Sequence, residues 1–425
     1  MSKGYKRWEK LDNTAHVFPV IAGETMTNTY RIAVVLTEDV DGDLLQEALD
    51  ATLPRFPGFK LRMRNGVFWY YLEENDKRAP LVVEETEYPC RFIHPNRNHS
   101  YLFRVTYYRR RINLEVFHVL TDGMGGIGFL RELTYEYLRR RHPALGDQMG
   151  DGLSVDTSLD REDSFLRNYR KASRSMYESK RAFLIKGDKL PYHGFGVVHG
   201  HMPVSELKKA SRELHGCSIN EYLVAAFIYG IYKSHTGHIT KKRPVRIAVP
   251  VNLRPFFDSM TTKNFFVMIS AEFIPEKSDY SFDEICHMVH DCLRGQLNRE
   301  NLEQIFSYNV SNEQTFIARA VPLVFKNLAI KLVYTRAALA STSTMTNVGN
   351  VTISPEYEPY IESFHCFLSF SKGQDLKAAI ISYKDDLVLT FSSALYDTAI
   401  QKSTFSAIAS DGVDVRIETN GVYYE

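Results

Sequence analysis

At 425 residues the chain is longer than one hydrophobic core ordinarily fills, so two lobes are expected. Its 44% hydrophobic and 24% charged residues exclude a disordered or fibrous protein. Lys plus Arg total 52 against 51 Asp plus Glu, and a formal charge of +1 removes any global electrostatic reason to bind nucleic acid or an anionic membrane.

Taken in chain order, Arg31–Thr37 (RIAVVLT) is rich in branched residues and reads as a strand. Asp41–Phe56 places Leu44, Leu45, Ala48, Leu49 and Leu53 on one helical face. Short strands are expected at Lys60–Arg64, Val67–Leu72 and Leu81–Glu85. A hairpin runs from Tyr101–Tyr108 into Ile112–His118, with Arg109–Arg111 at its turn, and a helix from near Gly126 to Arg141 stops before Pro143. The polar stretch Gly146–Tyr192 reads as a crossover that divides the chain into lobes at 1–180 and 181–425. The second half restarts with strand Gly196–Met202, helices Ser205–His215 and Asn220–His235, and strands Val245–Leu253 and Phe265–Ile274. Two or three helices fill Ser281–Ala338. Strands Thr344–Ile353, Cys366–Lys372, Lys377–Tyr383 and Asp386–Ser393 and a last helix complete it. The pattern predicts an α/β fold of mixed sheets flanked by helices.

Cys90, Cys217, Cys286, Cys292 and Cys366 are odd in number and form no CxxC pair, which suits free thiols in a reducing compartment. The start, MSKGYKRWEKLDN, has no apolar core of a signal peptide, and no run reaches the length of a spanning segment. A cytoplasmic protein without a transmembrane segment is expected, as monomer or weak dimer.

One constellation carries chemistry. Period-two alternation puts His118 on the same strand face as Ile112, Leu114 and Val116, at the point where the strand ends. Thr121, Asp122 and the glycines Gly123, Gly125, Gly126 and Gly128 follow before a helix, whose first amides favour negative charge. By itself a histidine on an apolar face is more often a packed core residue. Gly123-x-Gly125-x-x-Gly128 matches a dinucleotide fingerprint, but residues 143–147 (PALGD) do not form the acid-terminated second strand that motif needs. No second histidine stands at metal-ligand spacing, and no GxSxG elbow occurs.

The run His118-Val-Leu-Thr-Asp122-Gly123 resembles the HxxxDG signature of the chloramphenicol-acetyltransferase-like superfamily. This group includes alcohol acetyltransferases, plant BAHD acyltransferases, wax ester synthases and peptide-synthetase condensation domains. Pro250-Val-Asn-Leu-Arg-Pro255, Lys263-Asn-Phe-Phe266 and Thr346-Asn-Val-Gly349 resemble companion blocks of that group, and Trp8–Asp12 resembles the opening of its stand-alone members. Phe117 stands where condensation domains usually carry another histidine, and the DFGWG block of the BAHD branch is missing.

The resemblance implies two similar lobes with a tunnel between them and His118 as general base at its middle. Asp122 would pair with Arg254 in a structural role, and Gly123 would shape the turn. Asn252, Thr346 and Asn347 would line the tunnel. The implied reaction moves an acetyl or longer acyl group from acyl-CoA, a co-substrate rather than a resident cofactor, to an alcohol. Two other readings stay open: a condensation-type enzyme using an acyl carrier protein thioester and an amine or alcohol acceptor, and a non-catalytic binding protein. No metal is expected.

Overall fold

A computed structural model describes residues 7–94, 96–146, 162–171, 180–191, 194–314 and 321–421, with the side chains of 312–314 outside this set. Three sheets organise them. A five-stranded mixed sheet has the order Ile361–Leu368, Thr29–Leu36, Arg111–Phe117, Phe103–Tyr108, Val83–Glu84. A seven-stranded mixed sheet has the order Phe266–Phe273, Val245–Asn252, Ser343–Val351, Leu376–Tyr383, Asp386–Ser393, Gly196–Pro203, Arg416–Thr419. A small antiparallel sheet joins Trp8–Lys10, Tyr70–Glu74 and Leu61–Asn65.

Each large sheet has its own core. Helices Gly42–Thr52 and Gly123–Arg141 pack on the five-stranded sheet around Ile32, Val34, Leu114 and Phe129. Helices Ile219–Ser234, Phe282–Gln296 and Ala399–Ser410 cover the seven-stranded sheet around Phe227, Ile247 and Leu389. Local chemistry sets their starts. Asp41 caps the first of these helices, and Ser218 with Glu221 and Ser281 with Glu284 form capping boxes.

The five-stranded sheet takes one strand, Ile361–Leu368, from far along the chain, paired antiparallel to Thr29–Leu36. The two sheets then face each other. Ala379, Ile381 and Val388 of the seven-stranded sheet join the core of the first lobe. Asn113 and Glu115, on the strand face opposite Ile112 and Leu114, also have no exposed surface, and their side chains meet Thr106, Glu85, Arg31 and Arg104. Glu115 is held there by Arg31 and Arg104 and accepts the Cys90 amide at 2.6 Å, as a buried charge requires.

Several boundaries differ from the sequence reading. The helix placed near Gly126 begins at Gly123, because the Asp122 carboxylate accepts the Met124 and Gly125 amides and so starts it three residues sooner. The strand placed at Cys366–Lys372 is Ile361–Leu368. Beyond it the chain leaves through a Ser371–Gln374 bridge with Gly373 at φ +76°, a conformation that favours glycine. Leu81–Glu85 keeps only two strand residues, and residues 210–214 close their helix in a π-helical turn. The crossover at 146–192 falls in large part outside the described residues. No described helix is long and apolar enough to cross a membrane. All five cysteines are free thiols.

Candidate active site

His118 follows the last residue of strand Arg111–Phe117, and its amide still donates to the Asn28 carbonyl at 3.0 Å. The backbone is therefore fixed just where the ring leaves the sheet. Phe18 stacks on the imidazole at 4.7 Å, Tyr30 meets it edge-on at 5.1 Å and Phe266 lies at 5.6 Å. The ring forms part of the wall of a cavity of about 940 Å³ between the lobes. Asp122, Gly123, Asn252, Arg254, Thr346 and Asn347 line the same cavity. Three strands and two turns, distant in sequence, thus bring all seven candidate residues together.

One hydrogen-bond network sets the state of the imidazole. Asn264 Nδ2 donates to Asp12 Oδ2 at 2.9 Å and to the His118 carbonyl at 3.1 Å. The reversed amide would point an oxygen at two acceptors, so the amide oxygen must face the ring. Accordingly Nδ1–H of His118 donates to Asn264 Oδ1 at 3.0 Å. The free lone pair is then on Nε2. Burial holds the imidazole pKa below its ordinary value, assisted by the charge of Lys377 and opposed by Asp122. The ring is thereby held neutral.

Asp12 closes the network from below. Its Oδ1 accepts the Ala15 amide at 2.8 Å and its Oδ2 also accepts the Asn264 amide at 3.3 Å. Burial raises its pKa to about 6 despite these bonds.

Asp122 does not touch the ring. Its Oδ2 accepts Arg254 Nη1–H at 2.8 Å and the Phe265 amide at 3.3 Å. Arg254 in turn donates to the carbonyls of Thr261 and Lys263, both at 2.8 Å, and to Asn252 Oδ1 at 3.1 Å. The ion pair therefore pins the segment that delivers Asn264 to His118. Asn252 Oδ1 also accepts the Arg254 amide at 3.1 Å, so it shapes this turn as well as the cavity wall.

The glycines do steric work at two positions. A Cβ on Gly125 would lie 2.0 Å from Thr121 Oγ1 and 2.9 Å from the Thr262 carbonyl, and one on Gly126 would lie 2.8 Å from the Tyr30 hydroxyl. Gly125 lets the helix start sit under the crossing segment, and Gly126 lets it pack against strand Thr29–Leu36. Gly123 is not so constrained, since a Cβ there would meet only Val348 at 3.5 Å. Thr346 is half-buried on strand Ser343–Val351. Asn347 is exposed at its irregularity, with Oδ1 accepting the Gly349 amide at 2.8 Å and Nδ2 reaching Asn220 at 3.4 Å.

Asn264 and Asp12 received no role from sequence, although both lie in segments that carried the resemblance. Separations of 146 residues to His118 and 252 to Asp12 leave no local spacing to read. The basic clusters are structural: Arg110 pairs with Glu362, Arg111 with Glu85, and Arg139 and Arg140 with Glu136.

Among solved structures, polyketide synthase associated protein 5 from Mycobacterium tuberculosis superposes with a TM-score of 0.60, over 95% of this chain and 96% of that one, at 17% identity. TRI3 trichothecene 15-O-acetyltransferase from Fusarium sporotrichioides gives 0.59 over 97% and 95%, at 12% identity. The condensation domain of the Monacolin K polyketide synthase MokA gives 0.59 over 95% and 96%, at 10% identity. The chain has the chloramphenicol-acetyltransferase-like fold. The sequence matches no family model and no curated protein.

Proposed function

We propose that the protein is an acyltransferase that moves an acyl group from a CoA thioester to a hydroxyl acceptor. The observation that carries this reading is the Asn264–His118 bond, which leaves Nε2 as the free base on the wall of a cavity large enough for two substrates. Nε2 takes the acceptor's O–H proton as the oxygen attacks the thioester carbonyl. The tetrahedral intermediate collapses with loss of the C–S bond, and the departing thiolate takes the proton back from Nε2. No acyl-enzyme is needed. The Gly123 amide and the Thr346 and Asn347 side chains are the candidate donors to the oxyanion. Apolar wall residues such as Val17, Phe18, Ile21 and Leu368 suit a hydrophobic acyl chain or acceptor.

A second reading is carried by the equally good superposition on condensation domains. There the donor is an acyl group tethered to a carrier protein and the acceptor an amine or alcohol.

Thiol release from acyl-CoAs of graded length, with alcohol and amine acceptors, tests both. Turnover with acyl-CoA that falls about 10²–10⁴-fold in folded His118→Ala supports the first. Turnover only with an acylated carrier protein replaces it with the second. Binding of acyl-CoA without turnover under any acceptor points to a non-catalytic binding protein.

A further inference from the structure

A second polar cluster lies where the lobes meet, and none of its residues lines the cavity. His201 is on strand Gly196–Pro203 and Glu418 on the adjoining edge strand Arg416–Thr419. His365 comes from strand Ile361–Leu368 of the other sheet. One ligand atom from each of the three falls within 4.8 Å of the others.

Both histidines are about 5% exposed, yet His201 Nε2 and both ring nitrogens of His365 have no hydrogen-bond partner. Leaving such groups unmatched in a folded interior is costly. His201 is also oriented: its Nδ1 is 2.9 Å from Asp386 Oδ2, which turns Nε2 towards Glu418 Oε2 at 3.7 Å. That gap is too long for a hydrogen bond. It is close to the ~3.4 Å edge of a tetrahedron with bonds of ~2.1 Å. A carboxylate on the far nitrogen of a ligating histidine is the usual outer partner of a zinc ligand. His199 stacks on His365 at 4.0 Å and fixes its ring plane. Arg416 holds the other oxygen of Glu418, and Arg111, whose charge also acts on His365, is paired with Glu85.

The geometry points to a Zn²⁺ site formed by His201, His365 and Glu418, which ties the two sheets together away from the reaction centre. Two histidines and a carboxylate match the donor preferences of Zn²⁺, and water would complete a tetrahedron. Ca²⁺ and Mg²⁺, which take oxygen donors, would be rejected. Because the ligands come from both sheets, the metal would stabilise their docking and leave the cavity chemistry alone.

The test uses the full chain, stripped with a chelator and titrated with Zn²⁺ against a chromogenic competitor. One equivalent should bind and raise the melting temperature, and Ca²⁺ should do neither. Glu418→Gln, at an exposed position, should weaken binding about 10–100-fold without unfolding the protein, and Asp386→Asn should do the same through His201. Co²⁺ should give the visible bands of a tetrahedral site, lost in His365→Ala. Absence of stoichiometric Zn²⁺ binding, or binding unchanged in both Glu418→Gln and Asp386→Asn, overturns the site. These readouts do not depend on acyl transfer, so either conclusion can fail without the other.

Discussion

Asn264 Oδ1 accepts the Nδ1–H of His118 at 3.0 Å, and the amide that offers it is itself fixed by Asp12. In the proposed reaction the bond strengthens as the ring becomes imidazolium, so its worth would be greatest at the transition state. A hydrogen bond to a charged group contributes about 1.5–3 kcal/mol, or roughly 10–100-fold in rate. Asn264→Leu is therefore expected to lower kcat by that factor with little change in KM. Steady-state kinetics, with near-ultraviolet circular dichroism to verify folding, check it. A change in KM alone would detach Asn264 from the base.

The pH profile follows from the depressed pKa of His118. With the neutral ring as the proposed base, kcat/KM should rise with pH to a plateau, with a midpoint below the ordinary 6.5. The same shift affects stability. Between the folded pKa and 6.5 the unfolded chain binds a proton that the folded chain lacks, so stability falls as pH drops below 6.5. A midpoint above 6.5 would contradict a buried base held neutral.

Much of this was legible in sequence because the signals were local. The alternation Ile112, Leu114, Val116, His118 placed the histidine at a strand end, and the glycines after Asp122 marked a turn into a helix, though three residues late. Arg254 entered through a short block. The pairing of Ile361–Leu368 with Thr29–Leu36 was not legible, since strand order across hundreds of residues leaves no periodic trace. The burial of Glu115 was not legible either, because alternation does not reveal the partners, Arg31, Arg104 and the Cys90 amide, that meet it on the other face. Asn264 and Asp12 were hidden for a related reason: their role comes from three segments meeting in space.

The Asp122–Arg254 pair predicts a different failure from that of His118. Removing one partner of a largely buried pair costs up to about 3–5 kcal/mol, chiefly from the charge left behind. Asp122→Asn and Arg254→Met should each lower the urea midpoint markedly, and the double variant should lose less than their sum. His118→Ala should lose activity with a much smaller change in midpoint. Additive losses in the double variant would mean that the two residues act separately.

Lys377 sets a stability cost against a cavity position. It is 7% exposed, lines the cavity, and donates to the Ser371 hydroxyl at 2.5 Å; among the described residues no carboxylate pairs with it. Burial pushes its pKa down to about 7 from 10.5. Between those values the unfolded chain holds a proton that the folded chain lacks, so stability rises as pH rises from about 7 towards 10.5. At and below pH 7 the folded state bears the full cost of a buried charge. Lys377→Met should therefore stabilise the protein by about 1–4 kcal/mol near neutral pH, with the gain fading at alkaline pH. It should also move the acid limb of the rate profile upwards, since the charge that disfavours protonated His118 is gone. A residue that destabilises its fold while facing the substrate cavity is expected to serve the substrate, so kcat/KM should fall as the melting temperature rises. A variant that melts higher at unchanged kcat/KM would instead leave Lys377 without a part in turnover.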